Sequence, residues 1–293
     1  MTDTVRAALW MLGATLSFSA MAVAGRVALD ELDTFEIMFY RSLVGILLVS
    51  GTLTLMGRWA EVTPRAMPVH ILRNACHFAG QNLWFFALPL IPLAQLFALE
   101  FTTPLWVILL AALFLGENLT RIRVLTALVG FVGVLIVARP GAVPVSIGTI
   151  TALLSAVAFA GSYIATKALT RVASVGCILF WLTVIQAGFG LVATGYDGDI
   201  HWPSAGTWTP LVVIAICGLS AHLCITTALT LAPASIVAPI DFVRLPLIAV
   251  VGLALYQEPI DAFVLLGAAI IFGANYTNIL KESKSRPRDA TEL

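Results

Sequence analysis

The chain has 293 residues, of which 60% are hydrophobic and only 11% charged, and its mean hydropathy is +0.98. No soluble core of this length needs that much apolar surface, so the composition excludes a soluble enzyme or signalling domain. Sixteen basic residues balance sixteen acidic ones, which leaves no excess of positive charge for a nucleic acid to engage.

Apolar segments of about 20 residues, long enough to cross the hydrocarbon layer as helix, fall at roughly 5–25, 36–57, 67–88, 91–115, 122–139, 147–168, 175–195, 207–230, 234–256 and 260–280. The first follows Arg6 and ends in Ala20, Ala22 and Ala24, as a cleavable signal would. We expect it to be retained, because its loss would leave nine spans and unbalance the two halves of the chain. The second span holds Arg41 and the fourth holds Glu100, with Pro104 one turn further on. In the third, Asn74, His77, Gln81 and Trp84 recur at spacings of three and four and so share one helix face, polar with an aromatic end. The segment Arg139 to Pro144 is the natural seam. Beyond it the sixth span carries Tyr163, the eighth His222, and the ninth Asp241 and Arg244 between Pro239 and Pro246. A polar tail begins at Lys281 and reads as disordered.

Adding 141 to a residue number in the first half reaches a matching residue in the second: Phe18 and Phe159, Arg26 and Lys167, Cys76 and Cys217, Pro92 and Pro233, Glu100 and Asp241, Glu117 and Glu258. Gapless matches of this kind indicate duplication. A five-span unit ends on the side opposite to where it began, so its second copy is inverted. The expected fold is therefore all-α and integral to the membrane: ten transmembrane helices in two inverted five-helix repeats, residues 1–142 and 143–280, followed by a tail over 281–293.

Basic residues in short loops are held on the cytoplasmic side. Twelve fall on the side of the N-terminus: Arg6, Arg58, Arg65, Arg73, Arg121, Arg123, Lys167, Arg171, Lys281, Lys284, Arg286 and Arg288. Arg26 and Arg139 face the other way, with the acids Asp30, Glu31, Asp33, Glu36, Asp197 and Asp199. Both termini are expected on the cytoplasmic side of the membrane. Cys76, Cys177, Cys217 and Cys224 all lie within spans and share no C-x-x-C spacing, so they read as small packing residues with no metal site and no disulfide framework.

A charge at mid-membrane costs about 2.5 to 3.5 kcal/mol on insertion scales, so Arg41, Glu100, Asp241 and Arg244 each need a partner or a wet cavity. Two readings stand. In one they form structural ion pairs, Asp241 with Arg244 at a spacing of three. In the other an arginine receives a substrate carboxylate or phosphate and one acid carries a proton. Prolines beside these charges free backbone carbonyls, which is tolerated at this depth only against protein or water and so points to a cavity wall. His77 and His222 read either as part of that wall or as helix-to-helix hydrogen bonds.

The ten spans, the stretch Phe35 to Arg41 and the stretch from Pro89 to Gly116 and Glu117 resemble the drug/metabolite transporter superfamily and its EamA family over residues 5 to 280. His70 to Arg73, Trp84 and Pro92 to Ala94 are similar to members assigned to S-adenosylmethionine or riboflavin uptake. The resemblance implies a central cavity between the repeats with access alternating across the membrane. It puts Arg41, His77, Gln81, Trp84, Tyr163, His222 and Arg244 forward for substrate binding, and Glu100 and Asp241 for proton coupling. The expected function is secondary transport of a small organic metabolite, such as an amino acid, a derivative or a heteroaromatic compound, with protons as a coupling partner and no cofactor. Uptake of the S-adenosylmethionine or riboflavin type is the alternative within this class, and monomer and homodimer both remain open. The rivals are a non-transporting scaffold and an intramembrane lipid enzyme, for which no H-E-x-x-H, G-x-S-x-G or paired-carboxylate motif exists in the sequence.

Overall fold

The computed structural model describes residues 3–115, 121–139, 145–196, 198, 200–231 and 244–285. Among these residues the secondary structure is helical: α1 (Asp3–Ala28), α2 (Thr34–Leu55), α3 (Met67–Ala87), α4 (Leu93–Glu100), α5 (Thr103–Leu115), α6 (Arg121–Ala138), α7 (Ile147–Leu169), α8 (Val175–Thr194), α9 (Ala205–Leu231), α10 (Arg244–Tyr256) and α11 (Ala262–Ser285). Val5–Ala28, Thr34–Leu55, Ile147–Thr166, Val175–Thr194 and Ala205–Ile225 are each long and apolar enough to cross a membrane. The chain is an all-α membrane protein.

Local sequence sets the helix boundaries. Asp33 accepts a hydrogen bond from the Glu36 amide at the start of α2 while the Glu36 carboxylate accepts from the Asp33 amide, a reciprocal capping box. Ser146 and Ser174 cap α7 and α8 in the same sense with one side-chain acceptor each. The fourth span is broken in two: α4 stops at Glu100, and α5 starts at Thr103 with Pro104 in its first turn, where a missing amide hydrogen costs nothing. Thr102 and Thr103 hydroxyls donate to the carbonyls of Leu99 and Glu100, so the freed backbone is satisfied internally.

The helices pair in a pattern that inverted duplication dictates. The helix α1 packs along α9, and α7 along α3; α2 crosses α8, and α6 crosses α11. Exchanging each helix for its repeat mate turns the first two pairs into one another and returns the last two to themselves. Close crossing depends on glycine at Gly190, where a Cβ would stand 2.8 Å from the Phe39 Cα. At the α6–α11 crossing, Gly133 and Gly267 would each push a Cβ into the other's carbonyl oxygen, at 2.8 and 2.6 Å.

Glu36 is buried in the cap of α2, at the end of the bundle where α1 finishes. Two sequence expectations change. Arg73 was counted among loop bases, yet it lies nearly two turns inside α3, which begins at Met67, with 3% of its surface exposed. The helix α11 continues through Ser285, so the first residues of the tail, Lys281 to Ser285, are helical. Asp197, Asp199, Glu117, Asp241 and the tail beyond Ser285 lie outside the described residues. The four cysteines are free thiols.

Candidate functional site

Two polar centres stand inside the bundle. The first is built by α2, α3, α8 and α9. Arg41, eight residues into α2, is buried, and its guanidinium nitrogens lie 3.9 Å from where a Cβ on Gly218 of α9 would stand. The guanidinium thus lies alongside α9 at this point. Arg41, Ser42, Thr183, Gln186, Gly218 and His222 line a cavity of about 20 Å³, room for a single water. A metabolite enters this space only if the helices separate. The Ser42 and Thr183 hydroxyls donate to the Met38 and Phe180 carbonyls of their own helices, so towards the cavity they offer lone pairs. Arg41 Nη1 has no hydrogen-bond partner among the described residues.

His77 and His222 meet edge to face with ring centroids 5.1 Å apart. Phe159 flanks His77 at 5.7 Å and its repeat mate Phe18 flanks His222 at 6.4 Å, so two phenylalanines related by the duplication bracket the histidine pair. His77 Nε2 and Gln81 Nε2 are buried without a hydrogen-bond partner among the described residues. One turn before His77, Arg73 donates through Nε to the Thr166 hydroxyl and through Nη1 to Asn74 Oδ1, both at 3.2 Å. Arg41 and Arg73 are both close enough to act electrostatically on His77 and His222.

The second centre gathers around Glu100 at the end of α4. Its carboxylate accepts from Trp84 Nε1 at 2.8 Å and from Arg244 Nη2 at 3.2 Å. The Arg244 guanidinium sits over the rings of Phe18, Phe97 and Phe101 at 4.8 to 5.2 Å, a cation–π enclosure. Phe18 touches both centres, through Arg244 on one side and His222 on the other.

The structure thus brings Arg41 and His222 to one cavity with His77 beside them, and ties Trp84, Glu100 and Arg244 into a network. Gln81 lies buried on the α3 stripe between His77 and Trp84. Tyr163 stands apart, half exposed, and Asp241 lies outside the described residues. Sequence reasoning did not single out Arg73 or Gln186. The signal for Arg73 was its position four residues before His77; the signal for Gln186 was an amide in a span of mean hydropathy 2.0. Among the described residues no group of three or more His, Cys, Asp or Glu side chains is placed to hold a metal ion.

At the end of the bundle where α1 finishes, Arg26 donates to the Leu88 and Ile91 carbonyls, each at 3.0 Å, and to Glu258 at 2.5 Å. Glu258 also accepts from the Leu93 amide at 2.8 Å. This clamp joins α1, the α3–α4 corner and the α10–α11 corner. At the same end Glu36 accepts from the His201 amide, and Tyr40 donates to the His201 carbonyl.

The model of the EamA-like transporter family matches the chain twice, over residues 5–139 and 146–279. A riboflavin transporter of Brucella anthropi is 31% identical over 271 residues, covering 90% of this chain and 95% of that protein. An S-adenosylmethionine uptake transporter of Rickettsia bellii is 28% identical over 279 residues, 94% of each chain. The pseudopaline exporter CntI of Pseudomonas aeruginosa is 27% identical over 259 residues, 88% of this chain and 90% of its own. A solved crystal structure aligns over 96% of this chain and 98% of its own with a TM-score of 0.65 at 19% identity, a likeness of fold alone.

Proposed function

The chain belongs to the EamA-like transporter family, and from that premise we propose that it carries a small organic metabolite across the bacterial inner membrane by alternating access. The observation that carries this reading is Arg41. A buried guanidinium with an unused donor and, among the described residues, no carboxylate partner faces a cavity whose walls come from both repeats, and a charge at this depth calls for a counter-charge or a ligand.

The two repeats divide the chain near residue 142, and the excess of basic residues at the end where α1 begins favours cytoplasmic termini. In this conformation the Arg26 clamp holds the opposite, periplasmic end together. Substrate contacts fall to Arg41, His222 and His77. Glu100 is the candidate proton carrier, because protonating it weakens its hold on Arg244 and Trp84, which belong to helices of different repeats. Relatives named for uptake and for export share this fold, so direction is set by gradients and relative affinities in the two states. A scaffold has no use for a buried arginine at a cavity, and an enzyme would need a nucleophile with its base or a metal cluster, for which the sequence holds no motif.

Solute exchange in proteoliposomes tests the reading. Arg41→Ala should fold and insert yet lose exchange. Exchange at the wild-type rate in that variant would overturn the role of the cavity.

A further inference from the structure

Arg26, Arg139 and Arg244 each face a carboxylate, at Glu258, Asp261 and Glu100 respectively. Arg41 and Arg73 break that pattern. They are 8% and 3% exposed, and neither has a carboxylate partner among the described residues; Arg73 meets only the neutral oxygens of Thr166 and Asn74. The acids nearby are engaged elsewhere. Glu36, five residues before Arg41, accepts from the His201 and Asp33 amides, and Glu100 is held by Trp84 and Arg244. Among the described residues, then, two positive charges share the interior without a carboxylate partner.

Their depths differ. Arg41 lies seven residues beyond the start of α2 and Arg73 six residues beyond the start of α3, about 10 Å from opposite ends of the bundle at 1.5 Å per residue. His77 and His222, in mutual contact, lie between them. The cationic groups are thus staggered along the direction of transport.

We propose that the cargo is a net-anionic organic metabolite, bearing a carboxylate or phosphate with no cationic group to offset it, and that Arg41 and Arg73 are successive stations that hold this anion as access alternates. The proposal rests on the transport reading and extends it. A cationic or zwitterionic cargo calls for a carboxylate in the cavity wall, and the described residues lining it supply none. An anionic cargo supplies the charge that both guanidiniums lack, and it accepts from Arg41 Nη1.

The test uses pairs of compounds that differ in charge on one skeleton: flavin mononucleotide against riboflavin, and citrate against its trimethyl ester. Thermal stability of the full-length protein in detergent reads binding, and exchange in proteoliposomes reads transport. The anionic member of at least one pair should stabilise and be carried while its neutral partner is not. Arg41→Gln should weaken anion binding about 10- to 100-fold, as loss of charge-assisted hydrogen bonds does. Arg73→Gln should slow exchange more than it weakens binding, and Arg73→Lys should restore much of the rate, which a packing role for the guanidinium would not allow. If neutral members bind and travel as well as the anions, or if both Gln variants carry the anion at the wild-type rate, the anion assignment falls while transport stands. If the folded protein neither binds nor carries the anionic member of either pair, the anion assignment falls, while the transport reading is decided separately by solute exchange with Arg41→Ala.

Discussion

Arg244 and Glu100 are 144 positions apart in the chain and meet at 3.2 Å; Glu100 closes α4 where the fourth span breaks, and Arg244 lies two residues before Pro246. The pair joins the fourth span of one repeat to the ninth span of the chain. Any motion that separates the repeats must bend this contact or release it.

Replacing Glu100 with Gln keeps an oxygen for the Trp84 indole but removes the site at which a proton is gained and lost. We expect Glu100→Gln to fold and to exchange substrate across the membrane, while accumulation driven by a pH gradient disappears. Paired exchange and gradient-driven assays in the same proteoliposomes separate the two. Full gradient-driven accumulation in the variant would remove Glu100 from coupling.

The Arg26–Glu258 clamp restrains the end of the bundle where α1 finishes. Glu258→Gln weakens its charged bond and loses one carboxylate oxygen that accepts from the Leu93 amide. In a background without native cysteines, a cysteine at the fully buried Leu88 should react several-fold faster with a membrane-impermeant maleimide once Glu258 is Gln. Equal labelling rates would mean that the clamp does not limit opening.

Outside the membrane-spanning helices, Glu31 in the α1–α2 loop accepts from the Thr207 hydroxyl and from the Ser204 hydroxyl and amide. These bonds hold its carboxyl below the usual carboxylate range, Thr207 contributing most. Because the folded value is depressed, the stabilisation is fully present above the ordinary pKa and is lost as pH falls through the lowered one. The melting temperature of Glu31→Gln should lie below that of the parent at neutral pH, and the gap should close on acidification. A gap that widened in acid would contradict the assignment.

Gly188 and Gly190 are two residues apart in α8 and face different surroundings. A Cβ at Gly190 would lie 2.8 to 3.0 Å from Phe39 backbone and Cβ atoms, whereas one at Gly188 meets nothing within 4 Å. Gly190→Ala should destabilise by about 1 to 3 kcal/mol through overpacking of α2 on α8. Gly188→Ala should be neutral or stabilising by up to about 1 kcal/mol, as helix propensity predicts. Comparable melting temperatures for the two variants would show that the crossing is looser than described.

Much of the fold was legible because the bilayer makes hydropathy and length decisive: the spans, and the break after Glu100 signalled by Pro104, follow from those constraints. The interior was less legible. Arg73 was grouped with the loop bases by its charge although the third span already opened at residue 67; its burial follows from the packing of α3 on α7, where it meets Thr166. Spacing paired Arg244 with Asp241, whereas Arg244 meets Glu100, since spacing along one helix says nothing of what another helix presents. Tyr163 is half exposed because the packing of α7 on α3 selects its face, and α7 is too uniformly apolar for sequence periodicity to show which face that is.

The most direct test of the account loads proteoliposomes from a bacterial metabolite extract and compares their contents by mass spectrometry for the wild type, Arg41→Ala and protein-free liposomes. The account predicts at least one small organic anion that enters with the wild type and stays at the protein-free level with Arg41→Ala. Identical contents for the wild type and the protein-free liposomes, or for the wild type and Arg41→Ala, would contradict it.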